Sequence, residues 1–350
     1  MIFSGFHMKK KDNQRGIILL SISWIVLILS LLLLSHLRST ELGFHNQRIE
    51  ESNLHLRIAA KSALNIILEE MANEVIEGAT DYDALSDSWS WRLLEEKYQE
   101  DFKEVFSGIK INVLVEDEDG KINPANDNNE RLELLFESLG MPELEAKELA
   151  FSIKDLSAKL KENLAEGSSG DDSASLESLD MRYLMKLRAI TPLLYYGNDS
   201  NFNNILDSEE STDKRFIIKR ITSFLTLRGD GKINPNFAPY EILLTIPGVS
   251  EKIADEIVRK REGFDQILGT EDDFVFKEPE DLQDLSSISR FREFEYNKIV
   301  PFTRVTSNIF TIRICCICEK NNQMFRVQTC VERSDKGEIA ILCWLEDYGV

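Results

Sequence analysis

The sequence predicts an α+β fold, with a long N-terminal helix, a largely helical middle and antiparallel strands at the end. Three observations predict it. Residues 17–34 carry no charge and are mostly Leu, Ile and Val, and an apolar stripe continues past them at helical spacing. The hexapeptide Asp119-Gly120-Lys121-Ile122-Asn123-Pro124 returns as Asp230-Gly231-Lys232-Ile233-Asn234-Pro235, each time ahead of helix-like sequence. Residues 305–345 read as a three-stranded antiparallel meander with turns at 319–323 and 334–337.

The apolar run comes first. At about 1.5 Å rise per residue, residues 17–34 span about 27 Å, just enough to cross a bilayer. Lys9, Lys10, Lys11 and Arg15 precede it. The positive-inside rule puts that short end in the cytoplasm and the bulk of the chain outside. A cleaved signal peptide would have a shorter apolar core followed by a small-x-small site. No Ala-x-Ala follows Leu34, so the expectation is a retained anchor. Beyond Ser35 the chain becomes polar, yet Leu56, Ala60, Leu64, Ile67, Met71 and Val75 recur in steps of three and four. No proline interrupts residues 17–77. The two stretches form one long helix, or two helices with a break near Gly43.

Residues 109–116 read as a strand leading into the first hexapeptide. In each copy Asp-Gly marks a tight turn and Ile-Asn closes a short extended run, which proline ends. Residues 132–149 follow as helix, interrupted at Gly140-Met141-Pro142. Residues 166–175 and 197–213 are polar loops, and residues 176–196 between them return to a helical pattern, with Pro192 starting a new turn. Residues 217–227 look like a strand entering the second hexapeptide. Residues 238–263 give two short helices around Ile246-Pro247-Gly248-Val249.

Composition limits the partners. A net charge of −20 and a pI near 4.8 speak against a polyanion. Only Asp12 is acidic before the anchor, so the exported part is more acidic still. With 43% hydrophobic residues the chain can build two or three small cores. Cys315, Cys316, Cys318, Cys330 and Cys343 all fall near the C-terminus. No histidine lies near them, so strand residues are a better account than a metal half-site. A disulfide is open to them outside the cytoplasm, and an odd number leaves at least one thiol free or intermolecular.

Residues 243–261 resemble a helix-hairpin-helix. A nucleic-acid reader of that type offers backbone N–H groups, usually beside a second glycine, to a phosphate. Here Ser250 and Glu251 stand at that point, and Asp255, Glu256 and Glu262 dilute Lys252, Arg259, Lys260 and Arg261. A structural two-helix unit is the plainer reading. No catalytic constellation appears. His7, His36, His45 and His55 all lie in or before the N-terminal helix, and no P-loop, Gly-x-Gly-x-x-Gly or His-Glu-x-x-His occurs.

Taken together the parts resemble the minor pseudopilin K family of type II secretion systems. The likeness lies in Arg15-Gly16 before an apolar helix, the paired Gly-Lys-Ile-Asn-Pro segments and residues 231–261. It extends to Glu278-Pro279-Glu280-Asp281-Leu282 and to the ending that begins Val305-Thr306-Ser307-Asn308. The resemblance implies a pilin-like helix packed on an antiparallel sheet, with a large helical domain inserted. The expected boundaries are a leader at 1–16, a transmembrane helix at 17–34 and a pilin-like helix with the first strand at 35–119. The helical insertion then occupies 120–300, with the hairpin unit at about 238–263, and closing strands occupy 301–350.

The resemblance also implies roles. Gly16 would end a leader removed by a prepilin peptidase, making Ile17 the new N-terminus. Most pilin-like proteins carry a glutamate five residues into the mature helix, where it meets a neighbour's terminal amine in the membrane. Ser21 stands there, and tip subunits of this family also lack the glutamate. The implied partners are companion minor pseudopilins, the major pseudopilin and the peptidase, at the bacterial inner membrane with the bulk of the chain in the periplasm. Nucleic acid is not expected. Related pseudopilins bind calcium, and Asp171, Asp172, Glu271, Asp272 and Asp273 could supply oxygen ligands, or form solvated carboxylate clusters. Two departures stand out. Asn123-Pro124-Ala125-Asn126 alters the family's Asn-x-Asn-x-Ala, and a Ser/Gly/Asp loop replaces its Trp- and Asp-rich segment. The alternative is a membrane-tethered DNA receptor of the competence type, which shares the Ile-Asn-x-Asn-x-Ala and hairpin elements.

Overall fold

A computed structural model describes residues 11–77, 81–167, 181–197, 219–229, 231–270, 272–285, 293–334 and 336–349. The chain divides into two units, Met1–His55 and Leu56–Val350. Helix α1 spans Lys11–Glu77 and passes Gly43 without a break. Within the first unit the stretch Leu19–Glu41 is long and apolar enough to cross a membrane. Its 23 residues cover roughly 35 Å. Its apolar side chains are exposed all round, which is compatible with a single-pass membrane anchor. The Ser30 hydroxyl donates to the Val26 carbonyl at 2.8 Å, so it brings no unmet polar group into the span.

In the second unit, α1 buries Leu56, Ala59, Ala60, Ala63, Leu64, Ile67 and Met71. The alanines are small, so the helix axis can lie close to the surface it covers. That surface is a four-stranded antiparallel sheet in the order β1-β2-β3-β4. After α2 (Trp91–Lys97) and α3 (Gln99–Val105) comes β1 (Ile109–Asp117), which pairs with β2 (Ile309–Cys318). Strands β3 (Met324–Arg333) and β4 (Ile339–Gly349) complete the meander. Side chains alternate along a strand. Phe310, Ile312, Ile314 and Cys316 of β2, with Phe325, Val327 and Val331 of β3, therefore share the core with α1. On the other face Thr311, Arg313 and Cys315 are buried too. A strand covered on both faces does not alternate apolar with polar, which accounts for the nearly unbroken apolar run at 312–318.

Between β1 and β2 the chain builds a helical insertion with its own core, which includes Phe136, Ile153, Phe224, Ile242, Ile257 and Phe276. Among the described residues its α-helices are α4 (Asn129–Ser138), α5 (Glu143–Gly167), α6 (Pro192–Tyr196), α7 (Tyr240–Leu243), α8 (Glu251–Arg261) and α9 (Glu293–Ile299). Local chemistry starts several of them. Asn128 caps α4 by accepting the Arg131 N–H at 3.0 Å, and Thr191 caps α6, whose first residue is Pro192.

Two expected elements differ. Residues 219–227 are not a strand. They form a 3₁₀ turn at Ile221–Ser223 and one bridged residue, Leu225, while residues 217 and 218 lie outside the described residues. Ile221, Phe224 and Leu225 are all buried, and steps of three and one belong to a helical turn, not to a strand's alternation. In residues 176–196 the described part holds a 3₁₀ helix, Met181–Lys186, and the short α6. The polar loops at 166–175 and 197–213 fall almost wholly outside the described residues.

At their Ile and Asn positions the two hexapeptides build the same structure. Ile122 N–H donates to the Phe224 carbonyl at 2.9 Å, and its own carbonyl accepts from Thr226 at 3.0 Å. Ile233 N–H donates to Phe302 at 2.8 Å and its carbonyl accepts from Arg304 at 3.0 Å. Each makes one parallel bridge. The next residue then turns the chain the same way. Asn123 Oδ1 accepts from Ala125 N–H at 3.1 Å, and Asn234 Oδ1 from Asn236 N–H at 3.0 Å. A pair of helices follows each turn, joined through a glycine in the left-handed region, Gly140 at φ 87° and Gly248 at φ 93°. The repeat is thus a bridge, an Asx turn and a helix pair. The first copy pairs with the segment just before the second, and the second with the segment just before β2.

The glycines inside the hexapeptides are not equivalent. Gly231 has φ 77°, and a Cβ there would meet Arg131 and Asp127 side chains at 3.3 Å. Gly120 is outside the left-handed region, and its Cβ would meet only Asp117 Oδ2 closer than 3.5 Å, at 3.0 Å. Gly231→Ala is therefore expected to cost about 1–2 kcal/mol of backbone strain. Gly120→Ala should cost clearly less. Chemical denaturation of the two variants checks this, and equal losses would contradict the difference in backbone state.

Candidate functional site

The expected processing residues Gly16 and Ile17 fall within α1, and their side chains lie outside the described residues. Ser21 is exposed on the helix surface among apolar neighbours such as Leu20 and Ile25. A carboxylate at that place in a bilayer would need a partner for its charge. A hydroxyl does not.

The helix-on-sheet body is locked at one end by an arginine. Alternation along β3 puts Arg333 on the inner face with Val331 and Phe325, where it is buried. A buried guanidinium needs partners for its donors. Glu74 near the end of α1 accepts from it at 2.8 Å, and Asp83 accepts from its other terminal nitrogen. The Ser307 carbonyl accepts at 3.1 Å, and the guanidinium carbon lies 5.4 Å from the Phe310 ring centre. Trp89 Nε1 donates to Glu74 at 2.8 Å and Ser307 N–H to Asp83 at 2.7 Å.

The second repeat docks on this cluster. Asn234 Nδ2 donates to the Val305 carbonyl at 3.0 Å and the Asp83 carbonyl at 3.2 Å. Asn236 donates to Asp83 O at 3.0 Å and exchanges a pair of hydrogen bonds with the Phe276 backbone, each at 2.9 Å. Helix, sheet and insertion therefore meet at one buried polar knot. Burial raises the Glu74 carboxyl to about 7 against the pull of Arg333, and burial raises Asp87 nearby to about 8. Asp83 is shifted the same way, again chiefly by burial. Carboxylate oxygens of Glu74, Asp83 and Asp87 come within 4.8 Å of one another, close enough for a metal ion. The Arg333 guanidinium already donates to two of them and supplies the positive charge.

On the opposite face of the sheet a second ion cluster joins β1 to the insertion. Glu116 accepts from Arg313 Nε at 3.0 Å, Arg220 at 3.1 Å and Ser223 Oγ at 2.8 Å, with Lys121 Nζ at 3.4 Å. Burial works against its charge, but Lys121, Arg313 and Arg220 outweigh that and hold the carboxyl well below its ordinary range. Lys121 also reaches Glu118 at 2.5 Å and the Thr222 carbonyl at 3.0 Å. A cleft of about 680 Å³ opens beside this cluster, lined by residues such as Leu114, Phe237, Pro239 and Ile267. On its wall Lys121 and Arg220 both bond Glu116.

Of the calcium candidates, Asp171, Asp172 and Glu271 lie outside the described residues. Asp272 and Asp273 are brought together with Asp265, which the sequence did not single out, their carboxylate oxygens within 4.8 Å. Three carboxylates suit a hard cation. The same oxygens, however, already serve the loop. Asp272 accepts from Phe264 N–H at 2.6 Å and Thr270 Oγ1 at 2.7 Å, and Asp273 from Thr270 N–H at 3.1 Å. Asp272 is held below its ordinary value by the Thr270 bond and then by the Phe264 amide.

Of the hairpin's four basic residues Lys252 is exposed, and the other three face inward or pair locally. Arg261 is buried and donates to the Pro235 and Ala238 carbonyls at 3.0 and 2.6 Å, tying α8 to the second turn. Lys260 Nζ lies 3.7 Å from the Phe274 ring centre, and Arg259 bonds Glu256 at 2.7 Å. Arg261 and Lys260 thus serve the packing of the two-helix unit. The cysteines are strand residues as expected, all five free thiols.

No family model and no curated protein matches the sequence. Among solved structures the chain is similar to a chain of the GspK-GspI-GspJ complex of the type II secretion system from enterotoxigenic Escherichia coli. The two share 11% identity over 87% of this chain and 98% of that chain, with a TM-score of 0.44. A likeness this distant carries no function from that complex to this protein.

Arg333 and the pair Asn234 and Asn236 were not legible as a knot. An arginine in phase with the apolar positions of a strand is the one signal that could have marked it. Removing Arg333 leaves buried carboxylates without a counter-charge, so Arg333→Met should destabilise the fold by about 3–5 kcal/mol in a denaturant titration. The pH dependence has a definite sign. Glu74 and Asp87 keep protons in the folded state at a pH where the unfolded chain, with carboxyls near 4, has lost them. Their contribution to stability therefore falls as pH rises from about 4 through about 8, and is flat above. Asp87→Asn should raise the melting temperature at pH 8.5 and leave it near that of the parent at pH 5. An unchanged difference between the two pH values would contradict the assignment.

Proposed function

We propose that the protein is a minor pseudopilin of a type II secretion system. In this reading it sits at the tip of the pseudopilus and helps start its assembly, for export of folded proteins across the outer membrane. The carrying observation is one helix, Lys11–Glu77, whose first half is an exposed apolar span and whose residues from Leu56 onward pack on an antiparallel sheet. A lone anchor has no need of such a body, whereas filament subunits use the helix for assembly and the sheet for contacts. The residues quoted for the family resemblance support the same reading.

Ser21 supports the tip position. A subunit below another meets that neighbour's terminal amine inside the membrane and gains from a carboxylate there. A subunit with nothing above it has no amine to meet, and a buried carboxylate would only add cost. The insertion between β1 and β2 adds bulk that would stop further copies stacking. On this reading the leader ends at Gly16, the short N-terminal end is cytoplasmic and the body lies in the periplasm. The partners are companion minor pseudopilins and the major pseudopilin.

Processing tests the proposal. Co-expression with a prepilin peptidase should remove residues 1–16 and leave Ile17 as the N-terminus. Gly16→Ala should be cut better than Gly16→Val, since the bond needs a small residue before it. An N-terminus beyond residue 34 on sequencing would identify an ordinary secretory signal instead, and the pseudopilin assignment would fall.

A further inference from the structure

Five thiols lie in or beside one sheet, but only two of them face each other. Cys330 of β3 and Cys343 of β4 are direct register partners. Cys315 faces Asn112 and Arg326, Cys316 faces Ile111 and Phe325, and Cys318 faces Ile109. Cys315 and Cys316 are sequence neighbours on a strand, so they point to opposite faces of the sheet.

Residues directly opposite each other in an antiparallel pair have Cα atoms about 4.5–5.5 Å apart. Both limits fall inside the roughly 4.4–6.8 Å that a disulfide spans. The register shift that begins immediately after Cys330 gives this point of the ladder a local twist, and the Thr329 hydroxyl fixes the Cys343 carbonyl at 3.0 Å. As direct partners on neighbouring strands, the two side chains lie on the same face of the sheet. They differ in access. Cys330 is fully buried, whereas Cys343 is half-buried on the edge strand. The neighbouring Cys330 thiol and then the Arg228 charge pull the Cys343 thiol down, while Cys343 in turn and burial push Cys330 up.

We propose that Cys330 and Cys343 are an oxidisable pair that closes into a cross-strand disulfide, with Cys343 attacking and Cys330 resolving. The oxidant is a disulfide, of a small molecule or of a thiol oxidoreductase. The Cys343 thiolate, its proton lost to solvent, attacks one sulfur of the oxidant, breaking that S–S bond and releasing one thiol. Cys330, losing its proton in turn, attacks Sγ of Cys343 in the mixed disulfide. The Cys330–Cys343 bond forms and the oxidant's second thiol leaves. Two protein thiols are oxidised and one external disulfide is reduced to two thiols. The bond staples the edge strand β4 to β3 by its middle.

The pairing stands apart from the secretion assignment and is tested on the purified full chain in detergent. Incubation with oxidised glutathione at pH 8 should lower the thiols titrated after denaturation from five to about three, since one disulfide consumes one pair. Non-reducing digestion should give one linked peptide pair, joining Cys330 to Cys343. The oxidised protein should melt several degrees above the reduced one. Cys330→Ser should trap glutathione on Cys343 because nothing resolves it, and Cys343→Ser should take up neither glutathione nor a crosslink at Cys330. Five remaining thiols in the parent, a link through Cys315, Cys316 or Cys318, or a glutathione adduct that persists on Cys343 with Cys330 present would each overturn the proposal.

Discussion

The buried guanidinium of Arg333 is the interaction on which the rest of the structure depends. It sits where the end of α1, the end of β3 and the loop before β2 converge, and it offers donors in several directions at once. Burial pushes its carboxylate partners toward the neutral form, and the guanidinium pulls them back toward the charged one. Asp83 serves in two ways. Its side chain answers Arg333, and its carbonyl receives Asn234 and Asn236 of the second repeat. One ion pair therefore holds the helix on the sheet and anchors the insertion beside it. A hydrophobic substitute could fill the space, but it could not fix three directions together.

The duplicated hexapeptide supplies the second constraint. Each copy spends its Ile on a single parallel bridge and its Asn on a turn, then releases the chain into a helix pair. Because each bridge closes on the segment ahead of the next element, the insertion is threaded as two successive loops, and not as one open excursion of the chain. It also returns next to its start, since Asp119 accepts from the Asn308 and Ile309 amides at 2.7 and 3.1 Å. An insertion with adjacent ends can be large without disturbing the strands that carry it.

Much of this was legible in the chain. The apolar stripe at 56, 60, 64, 67 and 71 marked the packed face of α1, and the strands at 109–116 and in the C-terminal meander were set by composition and turn signals. Residues 219–227 depart from the expected strand because Ile and Leu favour strands in general, whereas here their buried positions follow a helical turn. The polar knot was hidden for a different reason. Arg333, Asp83 and Asn234 are about 100 to 250 residues apart, and an acidic chain offers too many carboxylates for any one to announce its partner. The acidic loop shows the converse case. Asp272 and Asp273 were visible as a pair, but Asp265 joins them only through the fold of the loop.

We propose that α1 serves an assembly of unlike pilin-type helices in the membrane, at its end and not along its length. Ser21 and the bulk of the insertion are the two features that suit such a position. The most direct measurement places a photo-reactive residue at Ile25 of the full chain, within the apolar span, and identifies what it captures in native membranes. Adducts to other pilin-like helices are expected, with this chain present in far fewer copies than the filament's major subunit. Recovery of the protein alone, or as a regular ladder of its own multimers, would contradict it.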